Sequence, residues 1–204
     1  EMMLRRKKAY RNYRNIVALQ TKNHENQEKR YDIAKLTKVS LRMRPWKIIV
    51  GEVRDSNAAR QTHEAMNTGH NCYVTLHASS ARNAATRIVQ LAGDGYNDEA
   101  IAAQLADTLD LIIFQQKIQK SRVITEIVEL VGYDGAKHPI CNTLFAFKQT
   151  GVDENGFVQG YHYRVGCISE ELANKMKVNL VPDERIARWR TRPAENAEDA
   201  ENGV

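Results

Sequence analysis

Carboxylate, imidazole and guanidinium groups crowd into three short blocks of this sequence. They are Leu41-Arg-Met-Arg-Pro45, Ile48-Ile-Val-Gly-Glu-Val-Arg-Asp55 and Thr68-Gly-His-Asn-Cys-Tyr-Val-Thr-Leu-His77. In the second block an apolar, β-branched run delivers Glu52 and Arg54 to its C-terminal end. In open α/β sheets that end is where ligands bind. A carboxylate fixed there can orient a water or reach the hydration shell of Mg²⁺. The third block delivers Thr75 and His77 to the same edge if the two strands are neighbours, and His70 lies on the loop that enters it. One carboxylate, two histidines and several arginines on one sheet edge suit a polyphosphate better than an acyl group. His63, His70, Cys72 and His77 also invite a zinc reading, but their spacing fits no common structural-zinc pattern.

The elements that must position these groups follow from periodicity. Tyr31–Met43 has Ile33, Leu36, Val39 and Met43 at helical spacing, and Pro45 stops it. Trp46–Val53 reads as a buried strand. Ser56 is the expected N-cap of a helix to about Thr68, closed by Gly69. Cys72–Leu76 is a second strand, followed by helices at Ser80–Ala92 and Asn97–Leu109. This alternation over residues 46–131 predicts an α/β fold with a mainly parallel sheet. Leu111–Gln116 and Arg122–Val131 are strand-like, and Leu144–Val165 reads as a β-hairpin turning at Asp153-Glu-Asn-Gly156. Ser169 caps a short helix to about Lys177. Asn15–Gln20 is an expected edge strand, and the tail from Pro182 is expected to be disordered for want of apolar anchors.

Composition narrows the class. A chain of 204 residues that is 42% hydrophobic can build a core in one or two domains. It contains no run of 18 apolar residues and no signal-peptide pattern. Cys72, Cys141 and Cys167 form no C-x-x-C motif, which points to a reduced, cytoplasmic setting. The net charge of +5 is unevenly spread. Residues 1–48 hold 14 Lys/Arg against 4 Asp/Glu, with Arg5, Arg6, Lys7, Lys8, Arg11 and Arg14 in one block. Such a block is usually a solvated face, and nucleic acid is the less favoured partner.

The three blocks, in this order and spacing, resemble the motor ATPases of the type II/type IV secretion superfamily, and the TadA/CpaF branch in particular. The resemblance continues through Arg82–Arg87 and Leu144–Gly156 and covers roughly residues 30–180. It implies the C-terminal part of a RecA-like ATPase core with a small helix and β-hairpin extension. It further implies a homo-hexameric ring using ATP and Mg²⁺ for pilus assembly, secretion or conjugative transfer. The ring would meet membrane platform proteins at the inner face of the cytoplasmic membrane. Position by position, Glu52 matches the Walker B acid that polarises water, close enough to touch the outer coordination sphere of Mg²⁺. Gly51 matches the small residue before it and Arg54 the arginine after it. His70 and His77 match the two histidines of the family's His box, with Thr75 between them. Glu52, Arg54 and His77 are thereby implied as catalytic. Arg42, Arg44, Gly51, His70 and Thr75 are implied at the nucleotide site or a subunit boundary. The implied domains are 1–30, a basic remnant of an upstream acidic-box region beginning at Glu1; 31–131, the core; 132–181, the extension; and 182–204, the tail. The family's phosphate loop G-x-x-x-x-G-K-S/T is missing, and no Gly-Lys pair occurs among the eleven glycines. The chain is therefore expected to be inactive by itself, as a truncated motor or as an assembly or nucleic-acid-contacting module.

Overall fold

A computed structural model describes residues 16–93, 97–135 and 138–191. The basic block and Glu1 lie outside these residues. The chain divides into two compact units.

The first unit holds the described residues through His77, with the segment that begins at Gln90. Helix α1 (Ile33–Leu41) starts at Asp32, whose carboxylate accepts the Lys35 N–H at 2.8 Å. Strand β1 (Lys47–Val50) leads through a short loop to helix α2 (Ser56–Asn67), and strand β2 (Asn71–Val74) follows. The two strands pair in parallel, Lys47 with Asn71 through Val50 with Val74. Ile48 and Val50 are buried on one face with Val53, Ala58, Ala59, Ala65 and Met66 nearby in sequence and equally buried. The register pair Ile49 and Tyr73 is exposed on the other face.

Asp55, not the expected Ser56, caps α2 by accepting the Ala58 N–H at 2.9 Å. Either residue type can cap, so the local sequence leaves the choice to the loop. Gly69, at φ +82°, turns the chain out of α2 in a conformation that β-carbon sterics disfavour. Of the edge strand expected over Asn15–Gln20, Asn15 lies outside the described residues and the rest forms no strand. The described residues 16–20 are irregular and exposed, and the only pairing here is the Lys22–Tyr31 bridge.

The second unit holds Ala78–Val89 and the described residues from Asn97 onward. Helix α3 (Ala81–Ala92) begins in it, and helix α4 (Asp98–Thr108) follows. Strands β3 (Leu111–Ile118), β4 (Ser121–Asp134), β5 (His138–Val152) and β6 (Val158–Arg164) form an antiparallel meander in that order. The α/β class stands, but the parallel sheet has two strands and the antiparallel sheet four. β3 and β4, expected with the parallel strands, instead fold back on each other at Gln119, which takes φ +51°. The boundary expected after residue 131 falls inside β4. The hairpin turn lies where its sequence places it, with the Asp153 carboxylate accepting the Asn155 and Phe157 N–H groups.

Ser169 caps helix α5 (Glu170–Val178) by accepting the Leu172 N–H at 3.1 Å. Order does not end at Pro182: Asp183–Arg190 forms helix α6. Two residues supply the anchoring that composition alone conceals. Ile186 is buried, and the Trp189 ring meets Phe145 edge-on at 5.5 Å. Arg164 stacks over the Trp189 ring and donates to the Arg188 and Trp189 carbonyls, tying down the helix end.

Candidate functional site

The candidate site is built at the C-terminal edge of the β1–β2 sheet. Val50 and Val74 are the last regular pair, yet pairing does not stop there. The Thr75 hydroxyl donates to the Gly51 carbonyl at 2.5 Å, and the Val53 N–H donates to the Thr75 carbonyl at 2.9 Å. Thr75 therefore holds the residues on both sides of Glu52. Val53 is buried and Asp55 is committed to the end of α2, so the loop has anchors on either side of Arg54 as well.

The carboxylate itself is held by charge. Arg54 Nη2 donates to Glu52 Oε2 at 2.5 Å, and His77 Nε2 lies 3.3 Å from Oε1. The Arg54 hydrogen bond is the main reason the Glu52 carboxyl sits below its usual range. Partial desolvation opposes that shift, and the Arg54 and His77 charges add to it. The Arg54 guanidinium is in turn pushed up by Glu52. The Glu52 side chain is 23% exposed, against 73% for Arg54 and 90% for His77. The result is an ionised, accessible acceptor on a fixed backbone beside two groups able to carry positive charge. Such a set can orient a water and meet an anion.

The other expected residues are not at this edge. Because β1 and β2 run parallel, their starts share one edge and their ends the other. Arg42 and Arg44 precede β1, and His70 precedes β2. They belong to the N-terminal edge, separated from Glu52 by a four-residue strand of about 13 Å at ~3.3 Å per residue. Among the described residues, no hydrogen bond or ion pair joins Arg42 or Arg44 to a partner through its side chain. His70 Nδ1 lies 3.1 Å from the Thr68 hydroxyl. Arg44 adopts φ +51°, unusual for a residue with a β-carbon, as the chain turns from α1 into Pro45. Thus the structure joins Gly51, Glu52, Arg54, Thr75 and His77, and sets Arg42, Arg44 and His70 apart. Asp55, which the reading of the blocks passed over, anchors the loop as a helix cap, and its signal is an Asp before a Ser-Asn-Ala-Ala run.

A parallel strand pair that gathers a carboxylate, a guanidinium and an imidazole at its C-terminal edge places them where open α/β sheets bind ligands. The sequence matches the family described as Type II/IV secretion system protein over residues 12–184, and the chain belongs to that family. Over 103 residues it is 37% identical to the conjugal transfer protein TrbB of Rhizobium radiobacter, covering 50% of this chain and 31% of that one. Over 89 residues it is 34% identical to the type IV pilus assembly ATPase PilB of Pseudomonas aeruginosa, covering 44% of this chain and 14% of the relative. Among solved structures, the ATPase DotB of Legionella pneumophila is 30% identical, with a TM-score of 0.42, over 45% of this chain and 26% of that one. The chain thus spans about a third or less of these proteins. Among the described residues, no helix is long and apolar enough to cross a membrane.

Proposed function

We propose that this chain is the part of a secretion-family motor ATPase that carries the water-orienting carboxylate, and that Glu52 is that carboxylate. The observation that carries the reading is the arrangement at the end of β1. Glu52 is pinned on both sides through Thr75 and reached by Arg54 and His77. Family membership and a relative described as an ATPase support the same chemistry.

The residues present fit ATP with Mg²⁺ in part. An exposed guanidinium suits a terminal phosphate, and one ionised carboxylate suits water or the hydration shell of the metal. When bound, Mg²⁺ would neutralise phosphate charge. The backbone cradle of a phosphate loop would have to come from further polypeptide, since this sequence contains no Gly-Lys pair. The exposed pair Ile49 and Tyr73 supports that view, because parallel strands are normally covered on both faces.

In this reading Glu52 acts on the attacking water, His77 and Arg54 act around it, and Thr75 and Gly51 fix its backbone. Arg42, Arg44 and His70, at the opposite edge, serve a boundary with a neighbouring subunit of a homo-hexamer. The ring belongs to the TadA/CpaF-like branch. It works on the cytoplasmic side of the inner membrane against platform proteins of a pilus, secretion or conjugation machine. The test compares Mg²⁺-dependent phosphate release from ATP by a polypeptide containing both this chain and an upstream phosphate loop with release by this chain alone. Turnover by the longer polypeptide and none by the chain alone is expected. Equal turnover by the chain alone would contradict the reading.

A further inference from the structure

Both oxygens of the Glu52 carboxylate face a cationic or potentially cationic neighbour. Arg54 Nη2 occupies Oε2, and His77 Nε2 stands by Oε1. A carboxylate paired with a guanidinium is a weaker base toward water, because the pair stabilises its negative charge, even though one contact leaves other lone pairs open. The Arg54 contact is the shorter of the two, 2.5 Å against 3.3 Å. The contact is an ion pair across one intervening residue, and the Arg54 side chain is mostly exposed. An exposed pair of this kind is weakly held and open to competition by other anions. The backbone beneath it is not free to follow. Gly51 and Val53 are tied to Thr75, and Asp55 is committed to the Ala58 N–H. Any exchange is therefore a movement of side chains over a fixed backbone.

We propose that Arg54 is a displaceable latch on Glu52: an arriving polyphosphate takes the guanidinium, and the carboxylate is released to accept from water. A polyphosphate has several oxygens that match the fork of a guanidinium, so it outcompetes a single carboxylate for it. Water is thus oriented only when the phosphate is in place, which couples occupancy of the site to its competence. The inference deepens the reading of Glu52 as the water-orienting group. It gives Arg54 two linked roles, binding the phosphate and freeing Glu52 as it does so.

The test uses a polypeptide containing both this chain and an upstream phosphate loop, isotopically labelled, at fixed pH and ionic strength without Mg²⁺, with inorganic tripolyphosphate as the probe and sulfate as the screening control. The readouts are the Arg54 guanidinium nitrogen signals and the Glu52 carboxyl carbon signal. With the native sequence, tripolyphosphate should move both signals with one saturation curve, and sulfate at matched ionic strength should move them far less. In Arg54→Gln the Glu52 signal should start at the released position and stay there. Arg54→Lys, which keeps the charge without the fork, should give a smaller response. Three outcomes overturn the latch: a Glu52 signal that responds equally in Arg54→Gln, one that stays still while Arg54 responds, or no response from either. Failure here leaves the hydrolytic role of Glu52 to its own test, since loss of turnover in Glu52→Gln does not depend on Arg54. Conversely, a working latch in a protein whose Glu52→Gln variant hydrolyses ATP normally would remove the proposed role and keep the contact.

Discussion

Two glutamates of this protein, one within a strand and one just past a strand end, are held in opposite ways. Glu129, in the middle of β4, is 3% exposed and lies among neutral donors. It accepts from the Ser169 N–H at 3.0 Å, from the Ser169 hydroxyl and from the Asn142 amide at 3.1 Å. Asn142 also donates to the Cys167 carbonyl, so β4, β5 and the start of α5 are fastened at one point. Glu52 lies just beyond the end of a strand, is accessible, and has the exposed Arg54 and His77 side chains for company. Uncharged donors fixed by the backbone hold a carboxylate permanently, and burial makes their removal costly. Exposed cationic partners hold it only until something better arrives. The first arrangement builds a fold and the second suits a site.

The comparison can be broken most forcefully at Glu129. Glu129→Leu should leave the Ser169 N–H and the Asn142 amide without their acceptor. A loss of about 3 kcal/mol or more is expected, as for other buried, charge-assisted hydrogen bonds. Urea unfolding checks it, and a change below about 0.5 kcal/mol would remove Glu129 from the account. Next is Ile186→Ala, which opens a cavity under α6 and should cost about 2–4 kcal/mol. If α6 were undocked, the variant would melt with the native chain and residues 183–190 would be cut early by protease.

A smaller effect is expected at the site's own anchor. Asp55→Ala removes the cap of α2 and should cost about 1 kcal/mol, with Asp55→Ser or Asp55→Asn recovering most of it. Full stability in the alanine variant would show that the loop behind Glu52 has another anchor. The smallest is a pH effect at His63, which is buried in α2 and held below its usual pKa by desolvation. The unfolded chain takes up a proton as pH falls through about 6.5, whereas the folded chain does so only at lower pH. Stability should therefore decline as pH falls below that value and level off below the folded pKa. His63→Gln should reduce the dependence, and unchanged acid sensitivity would locate its cause elsewhere.

How much of this was legible depended on whether the cause was local. The hairpin at Asp153–Gly156 and the Ser169 cap rest on side chains that bond their own neighbours, so the sequence displays them. The antiparallel return from β3 to β4 was hidden because Gln119 takes its left-handed conformation without the Gly or Asn that announces such a turn. Helix α6 was hidden because its stability comes from Phe145 and Arg164, more than twenty residues away. At the site, Glu52, Arg54, Thr75 and His77 were legible together because strand ends can be read from apolar runs. The separation of His70 from His77 was not drawn, although parallel pairing requires that residues before and after β2 occupy opposite edges.

The central claim is that Glu52 is needed for hydrolysis and dispensable for folding. The most direct measurement takes Glu52→Gln in the longer, phosphate-loop-containing polypeptide and follows ATP turnover, nucleotide affinity and thermal midpoint together. Turnover should fall by about 10²–10⁴-fold, the range for loss of one acid–base group, with affinity and midpoint unchanged. Turnover at the native rate would contradict it, as would a fall in turnover that merely tracks a fall in stability.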